Sequence, residues 1–189
     1  RSKWHGIFSP LDPEKSACTG GLATLARLPR HVVLPHSGLA AFDELRVGGR
    51  NALTGIDIGN HCVLELVNTY GWPNGEQCGV SRARTGGLVD VVLDCLALKK
   101  HNLWAWCTDL NCLPSSIPRL QAAIEAGDVI DLGAMASAWG GEDGQPTCLA
   151  PNSFQATRRD FIFASPLLLH LIQSFRVCTI PFIHVHACL

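Results

Sequence analysis

The sequence predicts a mixed α/β sandwich, and three observations predict it. Short apolar runs rich in β-branched residues recur between clusters of glycine and proline, as strands bounded by turns do. One window of about twenty residues switches to apolar spacing of three and four, which is helical. Several strand-like runs follow one another with no helix between them, which a regular parallel doubly wound sheet does not permit.

Taken in order, Gly20-Gly21 opens an apolar run, Leu22 to Arg27, that reads as a buried strand behind a glycine turn. Pro29, Pro35 and Gly38 mark a loop. Gly48-Gly49-Arg50 leads into a second strand, Asn51 to Ile58, which ends at a turn on Gly59-Asn60. His61 to Tyr70, HCVLELVNTY, is the clearest strand, and the dense turn cluster Gly71 to Gly75 stops it. From Ser81 to Lys100 the positions Leu88, Val91, Val92, Cys95, Leu96 and Lys99 form one face of an amphipathic helix.

Leu103 to Cys107 is a buried central strand, with Asp109 and Asn111 just past its end. A short helix runs from Pro114 to Ile124, with Ser116 placed to cap it and Pro118 in its first turn. Val129 to Leu132 is a brief strand, and Gly140 to Gln145 is a polar loop. Arg159 to Ser165 is a strand with a charged start, Pro166 to Ser174 a short helix, and Phe175 to Ile180 and Phe182 to Ala187 terminal strands. There is no internal repeat and no linker, so residues 1–189 read as one domain.

Composition excludes several classes. Hydrophobic residues make up 47% of the 189 and charged residues 16%, below the usual share of about 25%, which excludes intrinsic disorder. Fifteen basic and sixteen acidic residues give a net charge of -1, so no overall basic bias advertises nucleic acid; Arg82, Arg84, Arg158 and Arg159 could build a modest local patch. The opening Arg1-Ser2-Lys3-Trp4-His5-Gly6 lacks Met and an apolar core, so it reads as a piece of a longer product without a signal peptide. The longest apolar stretch, Phe161 to Ile172, is about half a membrane span and holds Pro166 and His170. Nine Cys, none in a CxxC pair, argue against a disulfide framework and for a reducing, intracellular compartment. Structural zinc wants two tight ligand pairs; Cys107 with Cys112 and His184 with His186 make at most one loose pair and two His, so inert buried Cys is the better reading.

Polar residues recur where apolar strands finish: Asn68 and Tyr70, then Asp109 and Asn111, then Asp160, then His184 and His186. Loops past strand ends are where sites are built. Two residues apart on a strand point to one side, so Asp109 and Asn111 present carboxylate and amide oxygens together, as a hard cation such as Mg²⁺ wants. A His near an Asp is the usual oriented acid or base. The plain alternatives stand beside these. Tyr70 reads equally as a strand-end aromatic before Trp72-Pro73, Asp160 as a partner of Arg158 or Arg159, and one of the two His as a packed core residue.

The order Gly-Gly-apolar-Ala, Asn68-x-Tyr70-Gly71, Asp109-Leu110-Asn111, Arg158-Arg159-Asp160-Phe161-Ile162-Phe163-Ala164-Ser165 and a terminal His186-Ala187 resembles the endonuclease/exonuclease/phosphatase superfamily. The resemblance begins near Trp4 and covers essentially the whole chain; Asp109 to Pro114 and Arg159 to Ser165 are its most specific parts. It implies a two-sheet α/β sandwich with helices outside, lacking the first strands, and a site at one edge of the paired sheets that binds Mg²⁺ or Mn²⁺. By that resemblance Asp109 would hold metal and activate the attacking water, and Asn111 would hold the phosphate or position the Asp. Tyr70 would contact the scissile phosphate, and His186, oriented by Asp160, would stabilise its developing charge. Asn68, Arg159 and His184 are expected to bind substrate.

The departures are equally definite. The family's early Asn and metal-binding Glu are expected on strands before Arg1. Thr108 stands where the family has Gly, Val185 where it has the Asp before the His, and Cys188 where it has Pro. The expected metal is therefore weakly held. The expected function is a nuclease-type phosphodiester hydrolase with a degraded site, of retroelement type and fused to other modules. The alternatives are an inactive domain of the same fold and a phosphatase of small-molecule or lipid esters.

Overall fold

The computed structural model describes residues 3–11, 20–27, 29–149 and 155–178. Its elements are β1 (Trp4–Leu11), β2 (Gly20–Arg27), β3 (Val32–Val33), α1 (Ala40–Val47), β4 (Asn51–Gly59), β5 (Cys62–Tyr70), α2 (Gly79–Leu98), β6 (Leu103–Asp109), α3 (Pro118–Glu125), β7 (Ile130–Asp131) and β8 (Asp160–Ala164). Tight 3₁₀ segments occupy Pro114–Ser116, Leu132–Trp139 and Pro166–Leu171.

Six strands form one sheet in the order β3-β4-β5-β6-β8-β7. Only β5 and β6 run parallel, and α2 is the crossover that such a pair requires. β4 and β5 are a hairpin whose turn residues Asn60 and His61 both take positive φ, 54° and 59°, the pattern of a two-residue hairpin turn.

Period-two alternation divides the sheet into two faces. One face carries Leu53, Val67, Trp104, Trp106, Phe161 and Phe163, and packs on Leu88, Val89, Val92, Leu93, Cys95 and Leu96 of α2. Trp106 lies 5.0 Å from Phe163, which stacks on Phe161 at 5.7 Å between ring centres. The opposite face is covered in two parts. Leu64, Leu66, Ala105 and Ala164 meet Leu132, Ala136, Leu168 and Phe175. Beside them, β1 and β2 pair into a separate two-stranded sheet that stacks over β4 and β5. The stacking is fixed by polar ties: Thr54 Oγ1 and Asn68 Nδ2 both donate to Thr24 Oγ1, at 3.0 and 2.8 Å, and Val32 N donates to His5 Nδ1 at 3.0 Å.

The architecture is the α/β sandwich expected, with a second sheet of two strands among the described residues. Several elements correct the sequence reading. The loop marked by Pro29, Pro35 and Gly38 contains β3, an unexpected helix α1 follows it, and a 3₁₀ segment, Leu132–Trp139, follows β7. The short helix expected from Pro166 to Ser174 is of 3₁₀ type and ends at Leu171. Phe175 is not in a strand; its ring fills the second core and its N–H reaches Trp139 O. The strand expected at Phe182 to Ala187 lies outside the described residues. Among the described residues seven cysteines are free thiols, and no helix is long and apolar enough to cross a membrane.

Candidate active site

Strand register builds the site. Tyr70 pairs with Asp109, and Asp109 pairs with Asp160, so the three stand in one row across β5, β6 and β8. One step down the same face, Asn68, Cys107 and Ile162 form the next row. These two rows floor a cleft of about 370 Å³, and Leu22 and Ala23 of β2 wall it from the opposite sheet. Asn68 ties floor to wall through its bond to Thr24.

Local chemistry explains why the row holds. Gly71 ends β5, where its N–H donates to Asp109 O at 2.7 Å; a Cβ there would sit 2.6 Å from Leu110 O, so the close approach of the two strand ends requires glycine. Past β6 the chain turns sharply: Asn111 takes φ 53° and its backbone N–H donates to Asp109 Oδ1 at 3.0 Å, which orients the carboxylate. On the far face Trp106 Nε1 donates to Thr69 Oγ1, which donates to Thr108 Oγ1, at 2.8 and 2.6 Å. This buried chain pins β5 to β6 directly beneath the site. Thr108, a departure from the family pattern, thus points away from the cleft floor with its hydroxyl paired. Thr147 Oγ1 accepts from both Arg159 N and Asp160 N, fixing the start of β8.

The electrostatics follow from this packing. Burial, Asp109 and Asp160 raise the Tyr70 phenol above its ordinary value, against a lowering by Arg50. Arg50 is 3% exposed, lies 5.1 Å from the Tyr70 ring centre and 4.9 Å from that of Trp72, and donates to Tyr70 O and Gly71 O. Burial pushes the Cys107 thiol up to about 11, which favours the protonated form of the cleft's sulfur at neutral pH.

Of the residues singled out in the sequence, Tyr70, Asp109, Asp160 and Asn68 meet in the cleft. Asn111 does not line it, and acts on Asp109 through its backbone. Arg159 is a correction: it lies outside the cleft lining, and its guanidinium is held by Glu76 Oε2 at 2.8 Å and Thr157 Oγ1 at 3.0 Å. Arg158 pairs with Asp131 and stacks on Phe161, and Arg82 donates to Gly75 O and Glu76 O, so three of the four arginines expected to build a basic patch are held in internal contacts, while Arg84 is exposed. His184, Val185 and His186 lie outside the described residues. Sequence reading missed Arg50, whose place between a glycine pair and a strand was its signal, and the β2 wall, which carries no chemical signature.

The cleft's donors are two carboxylates, an amide and a phenol, all oxygen ligands of the kind a hard cation takes. Carboxylates opposed on neighbouring strands repel, and a cation between them relieves the repulsion. The residues therefore fit Mg²⁺ or Mn²⁺ in kind, although no group of three or more His, Cys, Asp or Glu gathers among the described residues.

No protein-family model matches the chain, and no curated protein does. Solved structures do. A 3'-5' exonuclease from Neisseria meningitidis superposes with a TM-score of 0.67 at 17% identity, over 97% of this chain and 77% of that one. The endonuclease domain of TRAS1, a telomere-specific non-LTR retrotransposon, gives 0.64 at 15%, over 97% and 77%. The catalytic domain of Xenopus laevis APE2 gives 0.64 at 15%, over 98% and 73%. An AP endonuclease from Archaeoglobus fulgidus gives 0.53 at 17%, over 87% and 68%. This chain shares the α/β-sandwich fold of these solved structures, and carries Tyr70, Asp109 and Asp160 in one row at the ends of three neighbouring strands of its larger sheet.

Proposed function

We propose that the chain is a phosphodiester hydrolase of the nuclease kind that works with a hard divalent cation, Mg²⁺ or Mn²⁺. The observation that carries this reading is the alignment of Tyr70, Asp109 and Asp160 across three adjacent strands in one cleft. Fold neighbours support it, one being an exonuclease and two endonucleases by name.

Asp109 is the residue we assign to the ion, with Asp160 beside it; the bound cation supplies neutralisation of charge on the phosphate oxygens. Asp109, oriented by the Asn111 N–H, also takes the proton of the attacking water. Tyr70 stays protonated because its ionisation is raised, so its phenol donates to a phosphate oxygen where a phenolate would repel it. The Asn68 amide gives one hydrogen to Thr24 and has a second for the substrate. The Leu22–Ala23 wall limits solvent on the open side. Phosphoryl transfer needs such positioning and charge neutralisation more than covalent chemistry.

A second reading, a fold-preserving domain of little activity, is favoured by one observation: among the described residues two carboxylates share the cleft floor, and no third His, Cys, Asp or Glu joins them in a group that could hold a metal ion. Incubation with supercoiled plasmid and Mn²⁺ separates the two. Slow nicking, stopped by a chelator and lost in Asp109→Ala, supports the hydrolase; nicking that survives Asp109→Ala places the chemistry elsewhere.

A further inference from the structure

The outer surface of the β1–β2 hairpin has no part in the packing described above. Alternation sends His5 and Ile7 of β1, and Leu22, Thr24 and Ala26 of β2, toward the larger sheet, where Thr24 and Ala26 are buried. The other face carries Trp4, Phe8 and Leu25, exposed by 59%, 71% and 54%. Trp4 and Phe8 lie four residues apart on β1, about 13 Å at strand spacing. Between them is Gly6, over which the Leu25 side chain lies and where a Cβ would collide with it.

Two further features give this face a direction and a charge. Phe8 pairs with Ala23, and Ala23 walls the catalytic cleft, so the aromatic strip and the cleft share an edge. Arg27 pairs with Trp4, and Lys3, Arg27 and Arg30 are all exposed. The described residues from 3 to 42 include no Asp or Glu, in a chain whose net charge is -1; Asp12, Glu14 and Lys15 fall among the undescribed residues 12–19.

We propose that the outer face of the β1–β2 hairpin is a stacking platform for single-stranded DNA, with Trp4 and Phe8 taking bases and the strand running past Ala23 into the cleft. The proposal rests on the nuclease reading above and names its substrate as an unpaired strand. Exposed aromatic faces flanked by cations are what single strands bind, because every unpaired base offers a π-face and the phosphates seek positive charge. In a duplex those faces are hidden by stacking, so the platform selects against it.

The test is the anisotropy of a dye-labelled oligo-dT, and of a duplex of equal length, titrated with the 189-residue chain in a chelator. The single strand binds more tightly than the duplex; Trp4→Ala and Phe8→Ala each weaken single-strand binding by about tenfold, and Phe8→Tyr restores it. Both aromatics are exposed, so circular dichroism of the variants stays that of the wild type. Hydrolysis of bis(p-nitrophenyl) phosphate, too small to span the hairpin, is unchanged by either alanine. Failure of the nuclease reading shows in that assay as hydrolysis indifferent to Asp109→Ala; failure of the platform shows as equal oligo-dT affinity in the Trp4→Ala/Phe8→Ala double variant. Light scattering that finds a dimer dispersed by the same alanines would also overturn the platform, because the face would then be an interface between copies.

Discussion

Tyr70 is the only tyrosine of the 189 residues, so the tyrosinate absorbance band reports the site directly. The phenol is raised by burial, Asp109 and Asp160, and lowered by Arg50. In a spectrophotometric titration it ionises above its ordinary value near 10. Asp109→Asn removes a negative neighbour and moves the midpoint down; Arg50→Met removes the cation over the ring and moves it up. A midpoint indifferent to Asp109→Asn would mean that the carboxylate does not face the phenol. The sign for stability follows. Because the folded phenol ionises above its unfolded value, its contribution is complete below pH 10 and is lost as pH rises from there through the folded value. Asp109 was legible at this scale, since an Asp and an Asn just past an apolar strand mark a site on a rigid frame. Positioning Asp109 was one of the two roles expected of Asn111, but that its backbone and not its side chain does so was not legible. Its side chain does not line the cleft, because a positive φ turns the chain there and leaves its backbone N–H to hold Asp109.

The site depends on the ends of β5 and β6 staying in register, and two substitutions probe this. Gly71→Ala places a Cβ against Leu110 O, which must shift, and it destabilises the chain by about 1–3 kcal/mol. Thr69→Val strands the buried indole N–H of Trp106 and the hydroxyl of Thr108, a loss of about 1–3 kcal/mol. Urea denaturation measures both; a Gly71→Ala midpoint equal to wild type would show that the strand ends are not in contact. The long strands and α2 were readable because periodicity over eight or more residues averages out exceptions: β4, β5 and α2 were expected within one or two residues of where they lie. α1 was not readable, since its eight residues bury a single side chain, Phe42, which leaves little pattern between Pro35 and Gly48. Leu132–Trp139 was missed for another reason: its start is fixed by Asp131 accepting from Gly133 N and Ala134 N, an interaction that also takes Arg158. The same commitment hides in the arginines, whose sequence reads as a basic patch while Glu76 and Asp131 claim two of them.

Across the whole molecule, two sheets of unequal size meet at one cleft, and the fold brings Asn68, Tyr70, Asp109 and Asp160 there from three strands far apart in sequence. Residue order and a family resemblance led to the expectation that Asp109, Asn111, Asp160 and His186 converge, because neither periodicity nor composition says which strands are neighbours; Asp109 and Asp160 share the cleft, Asn111 does not line it, and His186 lies outside the described residues. The central claim is that this row is one hard-cation site with few anionic oxygens. Ion number and affinity follow: one Mn²⁺ or Mg²⁺, held on the order of 10⁻³ M, since weak ligand charge gives weak capture. Titration of Mn²⁺ followed by its electron paramagnetic resonance signal tests this most directly. The account predicts one site of about millimolar affinity that disappears in Asp109→Ala and persists in Cys107→Ala. Binding of unchanged strength in Asp109→Ala, or micromolar binding by the wild type, would contradict it.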